Sequence, residues 1–313
     1  MQKIRTLFLG SPIFSKTVLE TLLSMEYLEI VGVVTQSDKE VGRKKVMTPT
    51  PVKEFVLTNH PGIKVFTPSK FKLEYKEILS ETNPELIIVA AYGKILPLEF
   101  IDYPKYKSIN IHGSILPTLR GAVPVQMAIL KGFKKTGVSV QIMSEKMDEG
   151  DILFSKEIDI LESDTTESLM NKLATLSSDL LKEKLLSYIE GTVIPAKQDS
   201  TLATYCYLSD VRYEKAKIDW NKSANETHNF VRAFNPDPIA YTENLHPNIP
   251  GKVRIYETRV SDVSLSTEIG KLEIKNNLAL VRCGSGTIQL LKLQLEGKNI
   301  ISAQDLINSF KSR

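Results

Sequence analysis

Lys107-Ser-Ile-Asn-Ile-His-Gly-Ser-Ile-Leu-Pro-Thr-Leu-Arg-Gly-Ala-Val-Pro-Val-Gln-Met-Ala-Ile-Leu-Lys-Gly132 sets the reading of this chain. Its first six residues alternate as a strand does, so Asn110 and His112, two apart, point from one face at the carboxyl end. An irregular loop follows from Gly113 to Gly121, and then a helix with Pro124 in its first turn and Gly132 at its end. In open α/β sheets a loop between strand and helix is where ligands bind. Upstream the alternation continues: strand Ile4 to Leu9, helix Phe14 to Ser24, strand Ile30 to Val34, a helix from Pro51, strand Leu86 to Ala91. Such a series predicts a Rossmann-like, mainly parallel sheet with helices on both faces. The first strand ends in Gly10-Ser-Pro-Ile-Phe14, which lacks the Gly-x-Gly-x-x-Gly fingerprint, so a nicotinamide dehydrogenase is not expected.

Downstream, Thr136 to Met143 alternates as a strand, Ser144 to Gly150 turns the chain, and Asp151-Ile-Leu-Phe begins another strand. Asp148 is therefore a loop carboxylate able to return to His112. Taken singly, a histidine near a strand end is more often structural, and an aspartate before Glu-Gly is more often a turn former. Together Asn110, His112 and Asp148 supply a hydrogen-bond donor, a proton carrier and a carboxylate to orient it. An acyl transfer without a covalent intermediate needs those three functions.

Composition bounds the alternatives. With 313 residues the chain is long enough for two domains. No apolar run approaches the roughly 20 residues of a membrane span, and Met1-Gln-Lys-Ile-Arg leads into a strand rather than a signal-peptide core, so a cytoplasmic enzyme is expected. Cys206 and Cys283 stand far apart without histidines nearby and read as small hydrophobes, with neither disulfide nor metal. Residues 1 to 199 carry 25 Lys plus Arg against 25 Asp plus Glu, and residues 200 to 313 carry 15 against 12, so the net charge of +3 lies in the last third. That excess alone fits a solvated surface as well as a nucleic-acid face.

Leucines 169, 173, 176, 180 and 181 recur at helical spacing within Thr165 to Glu190, a helix closed by Gly191. Thr192 to Ser209 loses periodicity and reads as a linker. Beyond it, short alternating strands, including a hairpin of Leu278-Ala-Leu-Val-Arg-Cys and Thr287-Ile-Gln-Leu-Leu-Lys-Leu around Gly284-Ser-Gly286, suggest a small β-barrel. Ser302-Ala-Gln-Asp305 reads as the cap of a last short helix. The boundaries expected are 1–191 for a catalytic domain, 192–209 for a linker and 210–313 for the barrel. Asp38 to Pro49 is a basic insertion longer than the roughly 2 to 6 residues usual between strand and helix. It offers Lys39, Arg43, Lys44 and Lys45 to a polyanion, although charge runs are usually solvated faces.

The run from Asn110 to Leu153 closely resembles the folate-dependent formyltransferases. The matching residues are Asn110-Ile-His-Gly-Ser-Ile-Leu-Pro117, Arg120-Gly-Ala-Val-Pro124, Thr136-Gly-Val138 and Met147-Asp-Glu-Gly-Asp151, with Ile115 where leucine is usual. Phe8-Leu-Gly-Ser-Pro12, Ala91-Tyr-Gly-Lys-Ile-Leu-Pro97, Ile218-Asp-Trp220, Arg232-Ala-Phe-Asn-Pro236 and Ile301-Ser-Ala-Gln-Asp305 extend the likeness over nearly the whole chain, to members that act on aminoacyl-tRNA. Ser11 replaces the family's usual threonine, and the linker after Tyr205 lacks a lysine. The resemblance implies 10-formyltetrahydrofolate as formyl donor, initiator methionyl-tRNA as acceptor, catalysis by Asn110, His112 and Asp148, no metal, and a monomer. It implies an OB-like barrel that binds tRNA and a basic loop, Lys39 with Arg43 to Lys45, that engages the acceptor stem. Folate contacts are implied at Ala91, Tyr92, Gly93, Ile95, Leu96, Ser114, Ile115, Leu116, Pro117 and Ile142, largely through backbone. A sugar nucleotide or glycinamide ribonucleotide as acceptor, and an inactive tRNA-binding relative, are the competing readings.

Overall fold

The computed structural model describes residues 2–41 and 45–311, with the side chain of Lys311 excepted. Along the first half run β1 (Ile4–Gly10), α1 (Ile13–Leu23), β2 (Leu28–Val34), β3 (Lys39–Val41), β4 (Val46–Thr48), α2 (Pro51–Asn59), β5 (Val65–Phe66), α3 (Phe71–Thr82), β6 (Leu86–Ala90), α4 (Leu98–Ile101) and β7 (Ser108–His112). β8 (Arg120–Gly121), α5 (Pro124–Leu130), β9 (Lys135–Ile142), β10 (Ile152–Asp159) and α6 (Thr166–Ile189) follow. The last third holds β11 (Tyr205–Cys206), α7 (Ala224–Ala233), β12 (Tyr241–Glu243), β13 (Lys252–Ser261), β14 (Leu272–Lys275), β15 (Leu278–Arg282), β16 (Thr287–Leu295), β17 (Ile300–Ser302) and α8 (Ala303–Lys311).

Seven strands form one sheet in the order β10-β9-β7-β6-β1-β2-β5. The pairs β7–β6, β6–β1, β1–β2 and β2–β5 are parallel, and β9 joins β7 antiparallel. The expected mainly parallel sheet flanked by helices is thus present. Its central strands are apolar on both faces, Leu86 to Ala90 being buried throughout, as a sheet covered on both sides requires. One core region gathers Leu7, Leu9, Val34, Ile87 and Val89 from the strands with Phe71, Tyr75 and Phe100 from the helices. Gly10 admits close approach at the end of β1: a Cβ there would lie 2.5 Å from Ser15 Cβ and 2.8 Å from the carbonyl oxygen of Ala90.

The chain divides into two compact units, residues 1–122, 136–158 and 170–205 in the first, and 123–135, 159–169 and 206–313 in the second. The second unit is built on an antiparallel sheet, β12-β13-β16-β15-β14 with β17 on β16. The expected hairpin is β15–β16, with Arg282 opposite Thr287. The last helix begins as read, Ser302 Oγ accepting from Asp305 N at 3.1 Å while the Asp305 carboxylate accepts from Ser302 N at 3.1 Å. The insertion after β2 forms a β3–β4 ribbon, Lys39 opposite Thr48 and Val41 opposite Val46.

Candidate active site

The site is assembled at the carboxyl end of β7. Asn110 faces Gln141 across the β7–β9 pair and His112 faces Ser139, so the strand register sets four polar side chains at one edge. Asp148 reaches this edge from the turn after β9. Its Oδ1 accepts from Asn110 Nδ2 at 3.2 Å and Gln141 Nε2 at 2.7 Å, and its Oδ2 accepts from the Gly121 N–H at 2.8 Å. Oδ2 also stands 3.6 Å from His112 Nδ1. The His112 ring is buried, and its Nε2 lies 2.9 Å from the carbonyl oxygen of Leu119. A carbonyl only accepts, so Nε2 carries hydrogen, and Nδ1 is the ring nitrogen that faces Asp148.

Backbone geometry explains the glycines around this group. At Gly150 a Cβ would fall 1.7 Å from the Ile142 carbonyl oxygen, so the turn carrying Asp148 closes only with glycine there. Gly137 is equally constrained, its Cβ position lying 2.1 Å from Lys156 O and 2.4 Å from Ile115 Cδ1. The loop after β7 is held by Ser139, whose hydroxyl donates to Ser114 O at 2.8 Å and accepts from Leu116 N at 3.0 Å. Ser114 Oγ closes it by donating to Thr118 O, and the Leu116–Pro117 bond is cis.

The residues proposed to contact folate occupy three places. Ala91 to Leu96 follow the end of β6, with Ala91 and Gly93 in the left-handed region at φ 48° and 77°. Ile95 is exposed while Leu96 is buried. Tyr92 turns inward, its ring 5.8 Å from Phe71, and its buried hydroxyl finds no hydrogen-bond partner among the described residues. Burial, then the nearby Glu74 carboxylate, push that phenol well above its ordinary range. Ser114 to Pro117 lie in the loop beside His112. Ile142 pairs with Ile109, three residues before His112 on β7. Of the basic group, Lys39 donates to Gln36 Oε1 at 2.8 Å and Lys45 stands 3.7 Å from Glu40 on exposed surface; Arg43 and Lys44 lie outside the described residues.

Sequence reading missed the ring of supports behind Asp148. Gln141 was legible from alternation, since it faces Asn110 once the register is known. Gln198 was not, because it lies in the aperiodic stretch read as linker. Its amide nitrogen donates to Asp148 O at 2.9 Å and Gly150 O at 2.7 Å, and its oxygen accepts from Arg120 Nε and Nη2 at 3.0 and 2.8 Å. Thr204 in the same stretch takes the Leu119 N–H on its hydroxyl at 2.9 Å and the Arg120 N–H on its carbonyl at 2.8 Å. No group of three or more His, Cys, Asp or Glu suited to a metal ion occurs among the described residues.

A hydrogen-bond donor, an imidazole and a carboxylate meet at the end of a parallel strand, an arrangement whose chemistry is capable of serving acyl transfer. The chain belongs to the formyl transferase family: residues 2–185 match its formyl transferase model and 210–311 the model of its C-terminal domain. It is 40% identical to the methionyl-tRNA formyltransferase of Bacillus subtilis (strain 168) over 307 residues, 97% of this chain and 94% of that one. To the enzyme of the same name from Bacillus anthracis (strain A0248) it is 39% identical over 313 residues, 98% and 96% of the two chains. Among solved structures, the N-formyltransferase from Helicobacter canadensis aligns with a TM-score of 0.67 at 20% identity, over 92% of this chain and 98% of that one. HypX from Aquifex aeolicus aligns with a TM-score of 0.65 at 17% identity, over 99% of this chain and 48% of that longer one. These two share the fold.

Proposed function

We propose that this chain transfers the formyl group of 10-formyltetrahydrofolate to the α-amino group of initiator methionyl-tRNA, giving N-formylmethionyl-tRNA for translation initiation. The observation that carries the reading is Asp148, which is hydrogen-bonded to Asn110 and faces His112 Nδ1, in a chain alignable almost end to end with methionyl-tRNA formyltransferases. One N–H of Asn110 is given to Asp148; the other is the donor for the formyl oxygen as charge develops on it. His112 Nδ1 takes the proton of the attacking amine and, as imidazolium beside the Asp148 carboxylate, holds a proton for the departing folate nitrogen. The Leu119 carbonyl keeps the ring in the tautomer this needs.

Folate rests against backbone of Ala91 to Pro97 and Ser114 to Pro117, with Ile142 nearby. Ala91 and Gly93, both left-handed, are exposed there. Lys39, Arg43, Lys44 and Lys45 engage the acceptor stem. The exposed pairings of Lys39 and Lys45 are weak enough for phosphate to replace. Residues 1–191 form the catalytic domain, 192–209 the linker, and 210–313 an OB-like tRNA-binding domain that carries the positive excess. A single chain acts in the cytoplasm, and no helix among the described residues is long and apolar enough to cross a membrane. Comparing kcat/KM for charged initiator tRNA, uncharged tRNA, free methionine, a sugar-nucleotide amine and glycinamide ribonucleotide tests the reading. Charged initiator tRNA is expected to lead by at least 100-fold; preference for either small acceptor overturns it.

A further inference from the structure

The turn that presents Asp148 is held from behind. Asp148 has φ 56°, a left-handed conformation unfavourable for a non-glycine residue. Such a conformation persists where surrounding contacts over-determine it. Gln198 supplies them: its Nε2 donates to the carbonyls of Asp148 and Gly150, at 2.9 and 2.7 Å, and lies 3.3 Å from Gln141 Oε1. Its amide cannot turn over, because Oε1 faces the guanidinium of Arg120, which has only donors. Arg120 is 1% exposed, and its Nη1 bonds the Tyr205 hydroxyl at 3.2 Å and pairs with Glu149, the residue after Asp148, at 3.3 Å. Gln141 closes the circuit by donating to Asp148 Oδ1.

We infer that Gln198, oriented by Arg120, is a positioning residue for formyl transfer: it fixes the 148–150 turn so that the Asp148 carboxylate stays on His112, Asn110 and the Gly121 N–H. This rests on the role given to Asp148 above. Anchoring of residues 196–205 does not explain Gln198. That segment is already fixed by the two hydrogen bonds between Ile152 and Ala196, both 2.8 Å, and by Thr204 on Leu119 and Arg120.

Gln198→Met keeps length and removes both polar ends; Gln198→Glu keeps an acceptor for Arg120 and removes the donor. Each is combined with Asp148→Asn and compared with wild type. We expect either substitution to lower kcat by about 10-fold or more with both KM values within about 2-fold, since a misplaced catalytic group slows the chemical step. In the Asp148→Asn background the same substitution should lower kcat less than about 2-fold, because its effect runs through Asp148. Amide exchange gives a reading independent of activity. The Gly121 N–H, bonded to Asp148 Oδ2, should exchange about 10-fold faster while the Ile88 N–H in the central sheet is unchanged. Unchanged kcat, equal losses in both backgrounds, or parallel acceleration at Gly121 and Ile88 overturns the inference. If Gln198→Met does not fold, Gln198→Glu carries the same expectations. A wild-type protein that formylates no charged tRNA refutes the functional reading, while the exchange measurement still decides the clamp.

Discussion

Asn110 and His112 share a face because a strand repeats every two residues, and Asp148 meets them because the turn after β9 brings the chain back over that face. His112→Ala should slow transfer by roughly 100-fold or more with the fold kept, and Asn110→Ala and Asp148→Ala similarly. Single-turnover rates on purified, folded variants check this, and a rate near wild type removes that residue from the mechanism. Tyr92 makes a different prediction. A buried hydroxyl without a partner weakens the core, so Tyr92→Phe should leave stability unchanged or raise it by about 1–2 kcal/mol. Urea denaturation reads the change, and a loss above about 1 kcal/mol would show that the hydroxyl is bonded. At this scale the sequence disclosed the three polar side chains that meet at the end of β7. It concealed their supports: Gln198 lies 50 residues from Asp148 in a stretch with no periodicity, and no local pattern links a linker glutamine to a backbone carbonyl.

Elements were legible where periodicity is strong. The leucine spacing predicted Thr165 to Glu190, and the helix runs Thr166–Ile189. α3 carried a comparable signal in Phe71, Tyr75, Ile78, Leu79 and Thr82, all buried on one face, and went unread because no motif drew attention to it. The basic insertion was read as a loop, and its β3–β4 ribbon was illegible because exposed three-residue strands have no buried face to impose alternation. Replacing Arg43, Lys44 and Lys45 together by glutamine should weaken productive tRNA use and leave folate binding nearly unchanged. Each lost phosphate contact should reduce the log–log salt slope by about one. Wild-type tRNA kinetics and salt slope would remove the ribbon from the tRNA site.

α7 yields a pH prediction. Its His228 stands 2.9 Å from Thr258 Oγ1 and 3.1 Å from Glu162 O. Burial first, and the neighbouring Arg232 after it, hold the imidazole below its ordinary range, outweighing the contrary pull of Glu162. The unfolded chain therefore binds the proton more readily. The stability associated with neutral His228 is present above the ordinary histidine value of about 6.5 and is lost as pH falls below it. His228→Gln should abolish that part of the acid dependence. Melting temperatures of wild type and variant, followed from about pH 8 to 5.5 through the histidine range, should converge as pH falls, and parallel curves would contradict the assignment.

Over the whole molecule, sequence order and compact units differ. Residues 123–135 and 159–169 group with 206–313, so the second unit draws on segments from inside the first two-thirds of the chain. Periodicity follows sequence order, so the grouping of these inner segments with the last third was not legible in it. A fragment ending at residue 200 would lose Thr204 and Tyr205 from the supports of Arg120. Even a fragment ending at 207 would remove α7, against which α5 packs, and with it part of the cover of α5 and its apolar side chains. At about 1.5–3 kcal/mol for each large apolar side chain, the fragment 1–207 should lose several kcal/mol and bind a hydrophobic dye. A melting temperature within about 2 °C of the full chain, a shift worth about 1 kcal/mol, would show that these segments need no cover.

Direct transfer of formyl from folate to the amine of charged initiator tRNA at Asn110, His112 and Asp148 is the proposal on which these expectations rest. Rapid quenching of a single turnover with radiolabelled 10-formyltetrahydrofolate and charged initiator tRNA tests it most directly. Label is expected to pass to the methionyl amine with no labelled protein at any time, and Asp148→Asn to slow this one step. Label retained on the protein, or none reaching charged tRNA, would contradict it.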